Sequence, residues 1–152
     1  FSGLTPDLIL DAIETSGIYP VSGLLALNSY ENRVYQFLAE DNQRYVVKFY
    51  RPGRWSDAQI IEEHSFAQEL LENEIPLAAP LALNGQTLHH FDVEGTDYRF
   101  TLFPSVGGRQ FENDNLEMRD FLSYKLYPKV FTDAYNNHVK YGNVVTIIIL
   151  AP

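Results

Sequence analysis

A chain of 152 residues, 45% of them hydrophobic, is long enough for one domain with a buried core, which argues against global disorder. Its formal charge of −9 at pH 7 disfavours a nucleic-acid partner, because contacts with phosphates need a basic surface. The absence of cysteine excludes disulfides and thiolate metal sites. With no visible signal peptide and no apolar run of the ~20 residues that span a membrane, we expect a cytoplasmic protein without a membrane partner.

The first predicted elements are a helix and three strands. Thr5-Pro6-Asp7 is typical of a helix start, with threonine as N-cap, proline at the first helical position and an acid in the first turn. Gly17 is placed to end this helix. Alternating and β-branched residues predict strands over 21–27, 33–39 and 44–50, the last two joined by the polar turn at 40–43.

A second helix and further strands follow. Ser56 to Gln59 matches a capping box, and apolar residues at helical spacing continue to residue 71. Asn84-Gly85 predicts a hairpin within 81–88, and residues 98–103 predict another strand. This order favours an α+β fold, in which a five-stranded antiparallel sheet carries one packed helix. Residues 116–141 predict a helical C-terminal extension.

Five segments carry a resemblance to a known family: LNSYENRVYQF from residue 27, VVKFYRP from 46, EEHSFAQEL from 62, APLALNGQTL from 79 and FPSVGGRQFE from 103. Together they closely resemble the N-terminal lobe of the bacterial stress response kinase A family, relatives of aminoglycoside phosphotransferases and choline kinases. The resemblance spans about residues 4–116 and implies a protein-kinase-like N-lobe that binds ATP, with Mg²⁺ in the full-length relative.

The resemblance also implies roles for particular side chains. Lys48 would bond phosphate oxygens of ATP, and Glu63 on the following helix would orient it, with Glu62 left open as the alternative. Ser29 would contact phosphate from the loop between the first two strands. Phe103 and Ser105 would belong to the hinge whose backbone meets adenine.

Without the resemblance, each feature has a simpler interpretation. Lys48 would be a lysine on an exposed strand face, and Glu62 and Glu63 would lie on a solvated helix face. The loop at 28–32 would be an ordinary polar turn, and residues 103–109 a loop that ends a strand. No metal site is predicted, because the adjacent His89 and His90 face opposite sides of a strand, and His64 is expected at the surface.

The sequence predicts no catalytic residue. The resemblance implies a second lobe with a His-Gly-Asp catalytic loop and a metal-binding Asp, and this sequence contains no His-Gly-Asp. We therefore expect the chain to be truncated, with no phosphoryl transfer from it alone and a protein substrate only for the full-length relative. The predicted domains are a kinase-like lobe at 1–116 and a helical extension at 117–152. Residues 118–146 are similar to a carboxyltransferase segment of pyruvate carboxylases, which implies a chimeric chain made of two unrelated pieces. The alternative is that residues 118–152 are a divergent tail that packs under the sheet. The alternative function is a non-enzymatic interaction module that forms a homodimer through an exposed apolar face.

Overall fold

The computed structural model describes residues 3–27, 32–73, 77–105, 109–112 and 146–149. The chain divides into two compact units, one formed by residues 1–55 and 81–105 and the other by residues 56–80 and 106–152. The first unit contains α1 (Pro6–Thr15), β1 (Leu25–Leu27), β2 (Arg33–Leu38), β3 (Arg44–Phe49), β5 (His89–Val93) and β6 (Thr96–Pro104). The second contains α2 (Asp57–Glu72), β4 (Leu77–Ala78), β7 (Arg109–Glu112) and β8 (Thr146–Ile149).

Helix α1 forms where the sequence predicts it. The Thr5 hydroxyl accepts a hydrogen bond from the Leu8 backbone N–H at 3.3 Å, which satisfies one of the free donors of the first turn. The helix ends before Gly17, whose φ of +97° suits glycine best. Ile9, Ala12 and Ile13 are buried and fix the helix to the sheet of the first unit.

The five-stranded sheet of the first unit has the order β1-β2-β3-β6-β5, with every neighbouring pair antiparallel. Successive side chains on a strand point to opposite sides of a sheet. One side, which we name the core face, packs into the same apolar cluster as α1 through Phe37, Val47, Phe49, Phe100 and Leu102. The opposite side, which we name the lysine face, is formed by Val34, Gln36, Val46, Lys48, Thr101 and Phe103.

The second unit combines α2 with a three-stranded sheet in the order β4-β8-β7. The predicted capping box is present, because the Ser56 hydroxyl accepts from the Gln59 N–H at 3.2 Å and the Gln59 side chain accepts from the Ser56 N–H at 2.9 Å. The buried residues of α2 are Ile60, Glu63, His64, Phe66, Ala67 and Leu70.

Two predicted strands differ from the structure. The strand predicted over 21–27 begins only at Leu25, since the Leu38 N–H donates to the Ser22 hydroxyl at 2.8 Å instead of to a strand carbonyl. Asn84 and Gly85 form a turn with positive φ angles of 54° and 77°, but only a single bridge, Leu83 to Gln86, flanks it.

The hairpin in this part of the chain lies further on, between β5 and β6. Glu94 and Gly95 occupy its turn with φ angles of 51° and 87°. The predicted helical extension over 116–141 falls outside the described residues.

Candidate nucleotide site

Lys48 lies in the middle of the sheet and is almost completely buried, with 2% of its surface exposed. It pairs with Val34 on β2 and with Thr101 on β6, so strands flank it on both sides. The interpretation as a lysine on an exposed strand face is therefore wrong. A buried ammonium is costly unless polar or charged groups surround it.

Two neighbours of Lys48 are not predicted from the sequence. Thr101 is fully buried and lies directly opposite Lys48 across the β3–β6 pair. The Lys48 Nζ also lies 4.6 Å from the centroid of the buried Tyr50 ring. The period-two pattern of β3 could have indicated Tyr50, because residues two apart share a face. Thr101 needs the strand register, which the sequence alone does not specify.

Phe103 and Ser105 lie at the end of the strand that carries Thr101. Phe103 is buried and pairs with Val46. The Ser105 hydroxyl accepts a hydrogen bond from the Gln36 side-chain amide at 2.6 Å, and the Ser105 N–H donates to the Arg44 carbonyl at 3.1 Å. The first unit thus brings Lys48, Phe103 and Ser105 onto one sheet, with Ser105 fixed by two hydrogen bonds.

The helix acids differ in burial. Glu63 on α2 is 5% exposed, whereas Glu62 is half-buried. His64 is 4% exposed, so the expectation that it lies at the surface is wrong: it belongs to the buried side of the helix. Glu63 and Lys48 belong to different units. Ser29 and residues 106–108 of the predicted hinge lie outside the described residues.

The two histidines of β5 face opposite ways, as predicted. His89 is 5% exposed and stacks on Phe100 at 5.2 Å between ring centroids. Burial lowers its pKa below 6.5, with a smaller contribution from the charge of His90. His90 is exposed, and its Nδ1 lies 2.7 Å from an oxygen of Asp97.

The described ranges contain neither a metal-binding cluster nor a membrane-spanning helix. No cluster of three or more His, Cys, Asp or Glu side chains there could hold a metal ion. Nor do these ranges contain a helix with the length and apolar composition that crossing a membrane requires.

Comparison with known proteins identifies the family. The model of the phosphotransferase enzyme family (APH) matches residues 23–129. This chain belongs to that family. Over 120 residues it is 58% identical to the serine/threonine protein kinase RdoA of Salmonella typhimurium (strain LT2) and 56% identical to stress response kinase A of Escherichia coli (strain K12). Each match covers 79% of this chain but 35% of the relative, so the chain spans about a third of the length of these relatives.

Solved structures confirm the kinase-like fold. Amicoumacin kinase hAmiN in complex with AMP-PNP, Ca2+ and Ami superimposes with a TM-score of 0.62 at 18% identity, covering 84% of this chain and 39% of that one. The microcompartment-associated aminopropanol kinase gives a TM-score of 0.65 at 15% identity, covering 80% and 39%. The predicted resemblance to stress response kinases and the predicted α+β fold are both confirmed. The similarity of residues 118–146 to carboxylases stays a prediction.

Proposed function

We propose that this chain is the ATP-binding N-lobe of a Ser/Thr-type stress response kinase, with the nucleotide held against the lysine face of its sheet. The observation that carries the proposal is Lys48, 2% exposed in the middle of β3 on the side opposite the core cluster. A buried charge is weak evidence for a stabilising role, because its removal from water offsets what it gains from its partners. An ammonium with three donors does suit the phosphate oxygens of ATP.

Glu63 is proposed as the carboxylate that orients Lys48. Kinases hold their strand lysine with an acid from the following helix, and α2 is the helix that follows β3. Burial supports Glu63 over Glu62, because a carboxylate that is 5% exposed needs a compensating partner more than a half-buried one does. Removing either member of the pair would leave the ammonium poorly placed for phosphate.

The remaining contacts complete the proposed site. Ser29 would offer a hydroxyl to phosphate from the loop between β1 and β2, and residues 103–106 would meet adenine through backbone groups. Two hydrogen bonds already fix Ser105. The cofactor would be ATP, with Mg²⁺ bound in the full-length relatives.

The 152 residues alone are proposed to bind nucleotide weakly and to transfer no phosphoryl group. They contain no His-Gly-Asp sequence to provide a catalytic base. We further propose that residues 1–116 form the lobe, that 117–152 form an extension to it, and that the protein is cytoplasmic. A protein substrate would be met only by the full-length kinase.

Thermal unfolding with and without millimolar Mg·ATP tests the proposal. A ligand that binds only the folded state raises the free energy of unfolding by RT ln(1 + [L]/Kd), and the melting temperature rises with it. We expect a rise for the wild type that is lost in Lys48→Ala. Arg44→Ala is the matched control, because it removes a charge from the exposed start of the same strand and should keep the rise. Equal rises in all three proteins, or none in the wild type, would contradict the proposal.

A double-mutant cycle tests the role of Glu63. If Lys48 and Glu63 act as a pair, Lys48→Met and Glu63→Met will each destabilise the fold by about 3–5 kcal/mol, because each leaves one buried charge uncompensated. The double variant should then cost much less than the sum. Additive costs would mean that the two residues are independent and that another group orients Lys48.

A second candidate function is a non-enzymatic interaction module. It is favoured by three exposed apolar side chains in or near the edge strand β1: Tyr19, Val21 and Leu25, at 47%, 62% and 60% exposure. Under this proposal analytical ultracentrifugation would show a homodimer for the wild type and a monomer for Leu25→Lys. Mg·ATP would leave the melting temperature unchanged. A monomer stabilised by ATP excludes this function.

A further inference from the structure

Tyr50 lies just beyond β3, yet the sheet still fixes its direction. Its backbone N–H donates to the Arg99 carbonyl at 3.0 Å, which continues the β3–β6 pairing by one residue. Because Tyr50 follows Lys48 by two positions, their side chains lie on the same face. Tyr50 is 1% exposed, so its ring is held in place beside the lysine and is excluded from water.

The contact between these two side chains has the geometry of a cation–π interaction. The Lys48 Nζ lies 4.6 Å from the centre of the Tyr50 ring, within the ~6 Å over which an ammonium is attracted to an aromatic face. Such contacts are strongest where both groups are removed from water, and both of these are buried. The ring takes only one side of the ammonium, so this contact is compatible with N–H donation from its other sides to oxygen acceptors.

We propose that Tyr50 is a positioning residue that holds the Lys48 ammonium in place before nucleotide arrives. This inference rests on the proposed function of Lys48 as the phosphate contact. A lysine side chain has many rotamers, and ordering it when nucleotide binds weakens the binding. The Tyr50 ring removes part of that cost, so its loss should weaken Mg·ATP binding roughly two- to thirty-fold.

The experiment compares Tyr50→Leu with Phe49→Leu in the full 152-residue chain. Both variants remove one buried aromatic ring from the end of β3, but Phe49 lies on the core face and Tyr50 on the lysine face. The first readout is the ¹H–¹³C chemical shift of the Lys48 ε-methylene, measured without nucleotide. The ring current of Tyr50 displaces this shift from its random-coil value. The second is the affinity for Mg·ATP from calorimetry.

Only Tyr50→Leu should change the chemical shift of the Lys48 ε-methylene towards its random-coil value and weaken Mg·ATP binding. Phe49→Leu should lower the melting temperature to a similar degree and leave both readouts near the wild type. Unchanged Lys48 shifts in Tyr50→Leu would overturn the inference. If the wild type fails to bind Mg·ATP, the proposed function fails, and the NMR comparison still decides whether Tyr50 fixes the ammonium.

A milder series covers the case in which Tyr50→Leu does not fold. Tyr50→Phe and its ring-fluorinated analogues keep the size of the ring, while added fluorine weakens the negative charge of its face. Mg·ATP affinity should fall stepwise with fluorination at nearly constant melting temperature. An affinity independent of fluorination would overturn the electrostatic role of Tyr50.

Discussion

The two faces of the five-stranded sheet are built from the same strands but contain different chemistry. The core face contains large apolar residues that stack on one another, such as Phe49 and Phe100 at 5.3 Å between ring centroids. The lysine face is also buried around Lys48, yet it contains an ammonium and the Thr101 hydroxyl. Burial alone therefore does not distinguish the face that stabilises the fold from the face that we propose binds nucleotide; the groups that are buried do.

The contrast between the faces also explains why strand register matters in this sheet. A one-residue slip between β3 and its neighbours would exchange the faces and turn Lys48 into the apolar core. The core residues Val47 and Phe49, on either side of Lys48 in sequence, oppose that slip, because each is fully buried on the core face. Burial of Val47 and Phe49 on the core face thus keeps Lys48 on the lysine face.

Among substitutions outside the proposed Lys48–Glu63 pair, the largest effect on stability is expected on the core face. Phe100→Ala removes a fully buried ring that stacks on both Phe49 and His89, so it should lower the free energy of unfolding by about 3–5 kcal/mol. Urea denaturation followed by circular dichroism measures this directly. A cost below about 1 kcal/mol would mean that the stacked rings of the core face are not the main source of the sheet's stability.

A smaller, pH-dependent effect is expected from His89. Its Nε2 has no hydrogen-bond partner in the described part of the chain, and burial lowers its pKa below 6.5. The unfolded chain therefore binds a proton more readily than the fold does, so stability is complete above pH 6.5 and decreases as pH falls towards the folded pKa.

The test of this effect compares His89→Leu with the wild type. His89→Leu should flatten the dependence of the melting temperature on pH below 6.5, whereas the exposed control His90→Gln should keep most of it. Parallel curves for wild type and His89→Leu would show that His89 does not titrate differently in the fold.

The smallest effect is expected from a polar contact on the lysine-face side. Ser105→Ala removes the hydroxyl that accepts a 2.6 Å hydrogen bond from Gln36, which should cost about 0.5–1.5 kcal/mol. Gln36→Leu in the Ser105→Ala background should cost little more, since the bond is already lost. Additive costs in urea denaturation would indicate that each side chain has other important partners.

Local signals allowed much of the fold to be predicted from the sequence. Thr5 and Ser56 satisfy backbone donors within their own first turns, so both helix starts follow from a few adjacent residues. The interior of β3 follows from its own β-branched and aromatic residues. The hairpin was misplaced because Asn84-Gly85 is the stronger turn sequence, while the strands form around Glu94-Gly95.

The site was predictable only in part. Lys48 and Glu63 came from the family resemblance, and the structure adds that both are buried. Thr101 is distant from Lys48 in sequence and faces it only because β3 pairs with β6 in one register. Such a contact depends on long-range pairing, which local propensity does not encode.

The central claim is that nucleotide binds the lysine face, and methyl NMR during a Mg·ATP titration tests it most directly. Val34 and Val46 report on the lysine face around Lys48, whereas Val47 and Leu102 report on the core face. We expect saturable shifts that are largest for the methyl groups of Val34 and Val46, absent in Lys48→Ala and small for Val47 and Leu102. Shifts that are largest on the core face, or no shifts at millimolar Mg·ATP, would contradict the claim.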